Sequence, residues 1–212
     1  DLYMHYLQSP YPTLRGGTEE TTSGRMRLEP LRDKLNMPIL VINDSPIKQF
    51  AENEHGVGQS ALESYLRITN KTVNGERVTV LGYGSVGRGV AANFRGGYAK
   101  VAVVERDPVL KLRAHLDGFE TPSREEALAN ADIIITVTGA RGVITAADLP
   151  KLRSGVILAN AGHFPEEIDV AGMLASPEVA SQEEYADELL TLRLKNGNAV
   201  HLVARGHMFN LA

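Results

Sequence analysis

Three glycines, Gly82, Gly84 and Gly87, stand in the stretch VTVLGYGSVGRGVAANF, between an apolar run and a segment of helical period. That placement suits one chemistry, the cradling of a pyrophosphate. Gly82 is expected to permit a tight turn out of a strand, Gly84 to let phosphates approach the backbone, and Gly87 to let helix and strand pack closely. Ser85 and Val86 lie between them, where a helix N-terminus would turn its free N–H groups and its positive dipole end toward an anion. The next apolar run, KVAVVE, ends on Glu105, about 20 residues beyond the first glycine, where a carboxylate would bind ribose hydroxyls and repel a 2′-phosphate. The pattern predicts a dinucleotide site for NAD rather than NADP. Arg106, next in the chain, is the neighbour that would suit a 2′-phosphate.

Other groups are needed to act on whatever meets the cofactor. TVTG and NAGHF each end a predicted strand in small or polar residues. Thr136, Thr138, Gly139, Asn160 and Gly162 are therefore expected at the carboxyl edge of the sheet, where open α/β sheets bind ligands, with Thr136, Thr138 and Asn160 lining the cofactor. Oxidation of an alcohol needs a base within hydrogen-bond reach. Lys48 suits that role if burial lowers its pKa, and His163 suits it on a loop at the sheet edge. The plain alternatives are an exposed lysine on a polar loop and a histidine satisfied by backbone. The remaining histidines, His5, His55, His115, His201 and His207, show no metal-ligand spacing with carboxylates, and no metal is expected.

These residues need a scaffold, and the patterning describes one. RVTVLG, KVAVVE, ADIIITVTG and GVILANAG are apolar runs without alternation, separated by helical segments at Val86–Phe94, Pro108–Leu116 and a short piece around Ala146–Leu149. Such runs indicate parallel strands covered on both faces. Asp107 and Pro108 form a helix start. In LTLRLKNGNAVHLVA, Asn196-Gly197 signals a hairpin with a type I′ turn. Upstream, Val57 to Ile68 has a helical period, Pro38 to Asp44 reads as a short strand, and SPYPTLRGGTEETTSG reads as loop. The expected fold is a doubly wound, Rossmann-type α/β domain over residues 57–212, with a mostly parallel sheet and a C-terminal hairpin. Residues 1–56 precede it as a separate, largely irregular segment. At 212 residues and 43% hydrophobic the chain has ample core, and its net charge of -4 argues against a nucleic-acid groove. The absence of cysteine excludes disulfides, thiolate zinc sites and cysteine nucleophiles, and agrees with a cytoplasmic protein. No apolar run approaches the roughly 18 residues that span a bilayer, so no membrane partner is expected.

GGTEETTSG, INDSPIKQFAENEHG, GYGSVGRG, ERDP, TVTG, NAGHFPEEIDV and RLKNG occur here in the order in which they occur in S-adenosylhomocysteine hydrolases, which the chain resembles over nearly its whole length. The resemblance implies tightly held NAD that oxidises the 3′-hydroxyl of a nucleoside substrate, after which homocysteine leaves, water adds and the ketone is reduced again. It also implies roles by motif position. Lys48 would assist proton removal from the 3′-hydroxyl, Glu20 would bind the substrate ribose, and His163 would face the substrate, with Glu52 beside them. Thr21, Thr22, Ser23 and Asn53 would lie at the nicotinamide end, and Asn210 would bind the carboxamide.

The chain departs from the family at four of these positions. Glu52 stands where the family has aspartate, Val57 where it has cysteine, Ser85 where it has aspartate, and Ser23 where it has threonine. The resemblance implies that the chain begins, at Asp1, just after the place where the family's substrate-binding domain supplies another catalytic aspartate, and stops, at FNLA, before the Gly-His-Pro segment and the C-terminal lysine and tyrosine arm. On this reading residues 57–212 are a cofactor domain and residues 1–56 a hinge and substrate-proximal segment, and the exposed cleft face implies a homo-oligomer. Two other functions fit the same residues: an NAD(H)-binding regulatory module without hydrolysis, and a dehydrogenase acting on a nucleoside-like alcohol.

Overall fold

The computed structural model describes His5, Leu7, Gln8 and residues 11–186 and 188–212. It divides into two compact units, Asp1–Phe50 and Ala51–Ala212. In the first unit, strand β1 (Gly17–Glu19) pairs in parallel with β2 (Ile39–Val41), and helix α1 (Thr22–Leu28) follows β1. The expectation of a loop through GGTEETTSG is corrected here. Thr21 is extended and its hydroxyl accepts from Gly24 N at 2.9 Å, so a helix starts where threonine repeats had read as turn. The strand expected over Pro38 to Asp44 is limited to Ile39–Val41 and closes in a 3-10 turn, Ile42–Asp44.

The second unit is built on a seven-stranded sheet. Its strands are β3 (Arg77–Leu81), β4 (Lys100–Val104), β5 (Ile133–Thr136), β6 (Val156–Asn160), β7 (Val179–Ala186), β8 (Leu189–Leu194) and β9 (Ala199–Val203). They lie in the order β4-β3-β5-β6-β9-β8-β7. The ladders from β4 to β9 are parallel, and the last two, β9–β8 and β8–β7, are antiparallel. Unalternating strand sequences follow from this burial. Ile133 and Ile135 pack into one core with Tyr65, Val90 and Phe94, while Ile134 packs into the other with Leu128, Leu149 and Met173. Each such side chain is worth about 1.5–3 kcal/mol when fully buried. The first face is covered by helices α2 (Val57–Thr69), α3 (Ser85–Gly96) and α4 (Pro108–Leu116). The second is covered by α5 (Arg124–Asn130), the 3-10 turn Ala146–Lys151 and α6 (Val170–Leu174).

Local signals start the helices. Asp107 Oδ1 accepts from Val109 N and Leu110 N at 2.8 and 3.1 Å, as expected of a cap. At α5, which the patterning did not indicate, Ser123 and Glu126 form a capping box. The hairpin joins β8 and β9 as expected, but not by a type I′ turn. Only Gly197, at φ +87°, lies in the left-handed region, and Leu194 N donates to Asn198 O at 2.8 Å, which makes a longer loop closed by one glycine.

Candidate cofactor site

The glycine loop joins β3 to α3. Gly82 has φ +107°, which only glycine adopts without strain. Gly87 is forced by space, since a Cβ there would stand 2.2 Å from Gly82 O. Gly84 caps α3 in an extended conformation, and a Cβ on it would meet nothing within 4 Å. The space above Gly84 is open, as a backbone that receives a phosphate requires. The first intrahelical bond of α3 runs from Arg88 N to Gly84 O at 3.0 Å. The N–H groups of Ser85, Val86 and Gly87 therefore precede any intrahelical acceptor, and they point out of the helix start.

Glu105 lies just past β4 and is held by main chain. Its Oε2 accepts from Tyr83 N at 2.7 Å, and its Oε1 accepts from Arg106 N and Asp107 N at 2.7 and 3.0 Å. A carboxylate offers about four acceptor positions, so capacity remains for a ribose hydroxyl. Tyr83, which sequence reasoning passed over, anchors the loop from inside. It is 2% exposed, its hydroxyl donates to Asp117 Oδ2 at 2.8 Å, and its ring meets Phe119 edge-on at 5.8 Å. Burial, then the Asp117 hydrogen bond and charge, push its phenol well above the ordinary tyrosine range.

The carboxyl ends of β5 and β6 hold the next group. Thr138 and Gly139 form an exposed turn, with Gly139 at φ +67°. Thr136 and Asn160 do not line a crevice as expected. Both are fully buried, and Thr136 Oγ1 donates to Asn160 Oδ1 at 2.9 Å. Asn160 also accepts from Gly162 N and donates to Phe164 O and Gly206 O, at 2.8, 3.0 and 2.9 Å. Its amide is thus spent on tying together the loops that end the strands. His163 follows on the exposed loop after β6, its ring edge-on to Phe164 at 5.7 Å. Glu167, not singled out in the sequence, is fully buried and accepts from Thr138 and Gly139. Near the end of the chain, Asn210 Oδ1 is buried with no hydrogen-bond partner. A carbonyl oxygen left in that state costs about 1–3 kcal/mol, and a ligand amide would relieve it.

Lys48, Glu20, Thr21, Thr22 and Ser23 belong to the first unit. There Lys48 Nζ lies 3.9 Å from Glu20 Oε1, with the lysine side chain 10% exposed and the glutamate 64%. Thr22 Oγ1 accepts from Asn43 Nδ2 at 2.7 Å, and Thr21 Oγ1 and Ser23 Oγ are 3.0 Å apart. Glu52 and Asn53 lie in the stretch Lys48–Gly56, which is wound as a π-helix, with Glu52 exposed and Asn53 buried. Such wide turns recur at functional sites. Glu54, next in that stretch, pairs with Arg88 of α3 at 2.9 Å. Among the described residues no three His, Cys, Asp or Glu side chains gather to hold a metal ion, and no helix is long and apolar enough to cross a membrane.

The fold is shared with solved structures of low sequence identity. A dipicolinate synthase chain from Bacillus halodurans superposes with a TM-score of 0.60 at 22% identity, covering 74% of this chain and 55% of that one. Sequence relatives are more informative. An adenosylhomocysteinase from Aeropyrum pernix is 44% identical over 92% of this chain and 47% of its own length. One from Thermotoga maritima is 41% identical over 94% and 49%. An S-inosyl-L-homocysteine hydrolase from Methanopyrus kandleri is also 41% identical, over 93% and 47%. The chain thus spans about half the length of the curated relatives it matches. Residues 53–212 match the family described as S-adenosyl-L-homocysteine hydrolase, NAD binding domain. With a glycine loop at the start of α3 and a carboxylate fixed beside it, the chain belongs to the S-adenosyl-L-homocysteine hydrolase family and carries its NAD-binding domain.

Proposed function

We propose that this chain supplies the cofactor-binding half of a redox-assisted, reversible hydrolysis of S-adenosylhomocysteine to adenosine and homocysteine. When bound, NAD+ supplies a reversible oxidation of the substrate's 3′-hydroxyl, which acidifies the neighbouring C4′ proton so that homocysteine leaves and water adds. The observation that carries the reading is Glu105, fixed by three backbone N–H groups beside an open glycine loop. In that reading the first turn of α3 binds the pyrophosphate, Glu105 binds the adenosine ribose, and the unsatisfied Asn210 Oδ1 accepts from the carboxamide. Lys48, beside Glu20, assists proton removal at the 3′-hydroxyl, and Glu20 binds the substrate ribose. Glu52 and His163 act on the substrate, and Thr21, Thr22, Ser23 and Asn53 act at the nicotinamide end. A cytoplasmic location and assembly into a homo-oligomer belong to the same proposal.

One observation favours a second substrate. The S-inosyl-L-homocysteine hydrolase of Methanopyrus kandleri resembles this chain as closely as an adenosylhomocysteinase does, so hypoxanthine competes with adenine as the base. Both are tested by one assay. The chain has no cysteine, so a thiol reagent reports only homocysteine. The NAD+-loaded chain is expected to release thiol from S-adenosylhomocysteine or S-inosylhomocysteine. Lys48→Met should slow release by about 100-fold, the usual worth of a proton-transfer group, while leaving NAD+ affinity within about two-fold. Release at an unchanged rate in Lys48→Met would remove Lys48 from the mechanism. Silence with both thioethers would remove hydrolysis by this chain and leave NAD binding standing.

A further inference from the structure

We propose that Glu167 is a charge-setting and positioning residue, a buried anion beneath the Thr138–Gly139 turn that favours the oxidised, cationic form of bound NAD over the neutral reduced form. The geometry suits an ionised group. Oε2 accepts from Thr138 N and Thr138 Oγ1, both at 2.8 Å, and Oε1 accepts from Gly139 N at 2.8 Å. Two backbone N–H groups and a hydroxyl face the carboxyl group, and a carboxylate accepts from all three. The chain makes room for it, since a Cβ at Gly162 would stand 1.8 Å from Oε1. The main chain holds it as well, with Glu167 O accepting from Val143 N and Ile144 N at 2.8 and 3.0 Å.

Among the described residues no Lys, Arg or His forms an ion pair with Glu167; burial pushes its pKa up and the hydrogen bonds from Thr138 and Gly139 only partly offset this. A buried anion held without a cation is costly, and it exerts its field on whatever lies nearby. The strand order says what that is. Glu105 marks the adenosine end past β4, and the glycine loop past β3 takes the pyrophosphate. The rest of a dinucleotide continues over the carboxyl ends of β5 and β6, where the outer face of the Thr138–Gly139 turn is exposed. The nicotinamide ring is cationic when oxidised and neutral when reduced, so a fixed negative charge under this turn binds the two forms unequally. An enzyme that must begin its cycle with the oxidised cofactor gains from that bias.

This inference rests on the NAD-binding reading, and its test separates the two. The purified 212-residue chain, stripped of nucleotide, is titrated with NAD+ and with NADH, and the ratio of the two dissociation constants is compared among variants. A residue that only shapes the turn would weaken both ligands together and leave the ratio alone. Glu167→Gln, which removes the charge, is expected to shift the ratio toward NADH by about ten-fold, the effect of one buried charge felt through protein rather than water. Glu167→Asp, which keeps the charge, should stay within about two-fold of the parent ratio even if both affinities drop. If the Gln variant does not fold, Glu167→Ser leaves room for water to meet the three donors and should shift the ratio in the same direction. An unmoved ratio in the neutral variants, or an equal shift in Glu167→Asp, overturns the proposal while cofactor binding survives. A parent chain that binds neither nucleotide overturns the cofactor reading itself, and this inference with it.

Discussion

Replacing Glu105 with Gln removes one charge and one acceptor while keeping the side chain's length. In the parent, Oε1 accepts from two backbone N–H groups and Oε2 from one, at 2.7–3.0 Å. A glutamine can turn its carbonyl only one way. Facing Arg106 N and Asp107 N, it sets its own NH2 against Tyr83 N–H, which is left unpaired beside the glycine loop. An unmet donor costs about 1–3 kcal/mol when buried, and Tyr83 is 2% exposed. The chain should therefore lose about 1–3 kcal/mol, a fall in Tm of roughly 2–12 °C for its size. The bond to the ribose changes from charged to neutral as well, a loss of about 1 kcal/mol, or several-fold in Kd. The repulsion of a 2′-phosphate disappears at the same time. The combined expectation is weaker NAD+ binding, NADP+ binding unchanged or improved, and a preference for NAD+ reduced by about ten-fold or more. Calorimetric titration of both nucleotides into parent and variant measures it. A variant with the parent's NAD+ to NADP+ ratio would refute the assignment of Glu105, whatever its Tm.

Two further expectations concern stability. Asp148 is 4% exposed and pairs with both terminal nitrogens of Arg124, at 2.9 and 2.8 Å, while Arg124 also donates to Val143 O at 2.7 Å. Burial pushes the Asp148 carboxyl up, but the Arg124 hydrogen bonds, the Thr145 N–H and the Arg124 charge outweigh it and hold the carboxyl below its ordinary value. A depressed carboxyl stabilises the fold above its unfolded pKa of about 3.9 and loses that contribution as pH falls through its lower folded value. Asp148→Asn should cost about 2–3 kcal/mol at pH 7, less than a fully buried pair because Arg124 can rehydrate, and the Tm gap to the parent should narrow in acid. Melts followed by circular dichroism at pH 7 and about pH 3 decide it, and a gap that ignores pH would reject the ion pair as its source. Ala204, Arg205 and Gly206 have φ of +47°, +48° and +80°, three successive left-handed residues of which two are not glycine. Arg205 is exposed and pairs with Glu184, so Arg205→Gly exchanges a surface ion pair for relief of about 1–2 kcal/mol of backbone strain. A raised Tm is expected, and a lowered one would show that the pair matters more than the strain.

What could be read in advance depended on whether burial left a pattern. β3, β5 and β6 were legible because strands covered on both faces must be apolar throughout, and the β3–α3 turn because the glycines and Glu105 have no other reason to share that spacing. β7 was not legible, since its residues Ser181–Tyr185 are exposed and polar, held by pairing with β8 and not by burial. α5 has only seven residues, too few for a period, although its capping box stood in plain view as Ser123 and Glu126. At the site, the groups expected to face a ligand were recognised by residue type and position, which cannot tell front from back. Thr136 and Asn160 proved to support the loops from within. Glu167 was hidden for a related reason, because glutamate is almost never fully buried and only contacts distant in sequence show that this one is.

The central claim is that this chain binds NAD through the glycine loop and Glu105. Calorimetric titration of the nucleotide-stripped chain with NAD+ and NADP+ tests it most directly. Saturable binding of NAD+ with a clear preference over NADP+ is the predicted result; heat from neither nucleotide, or a preference for NADP+, would contradict it.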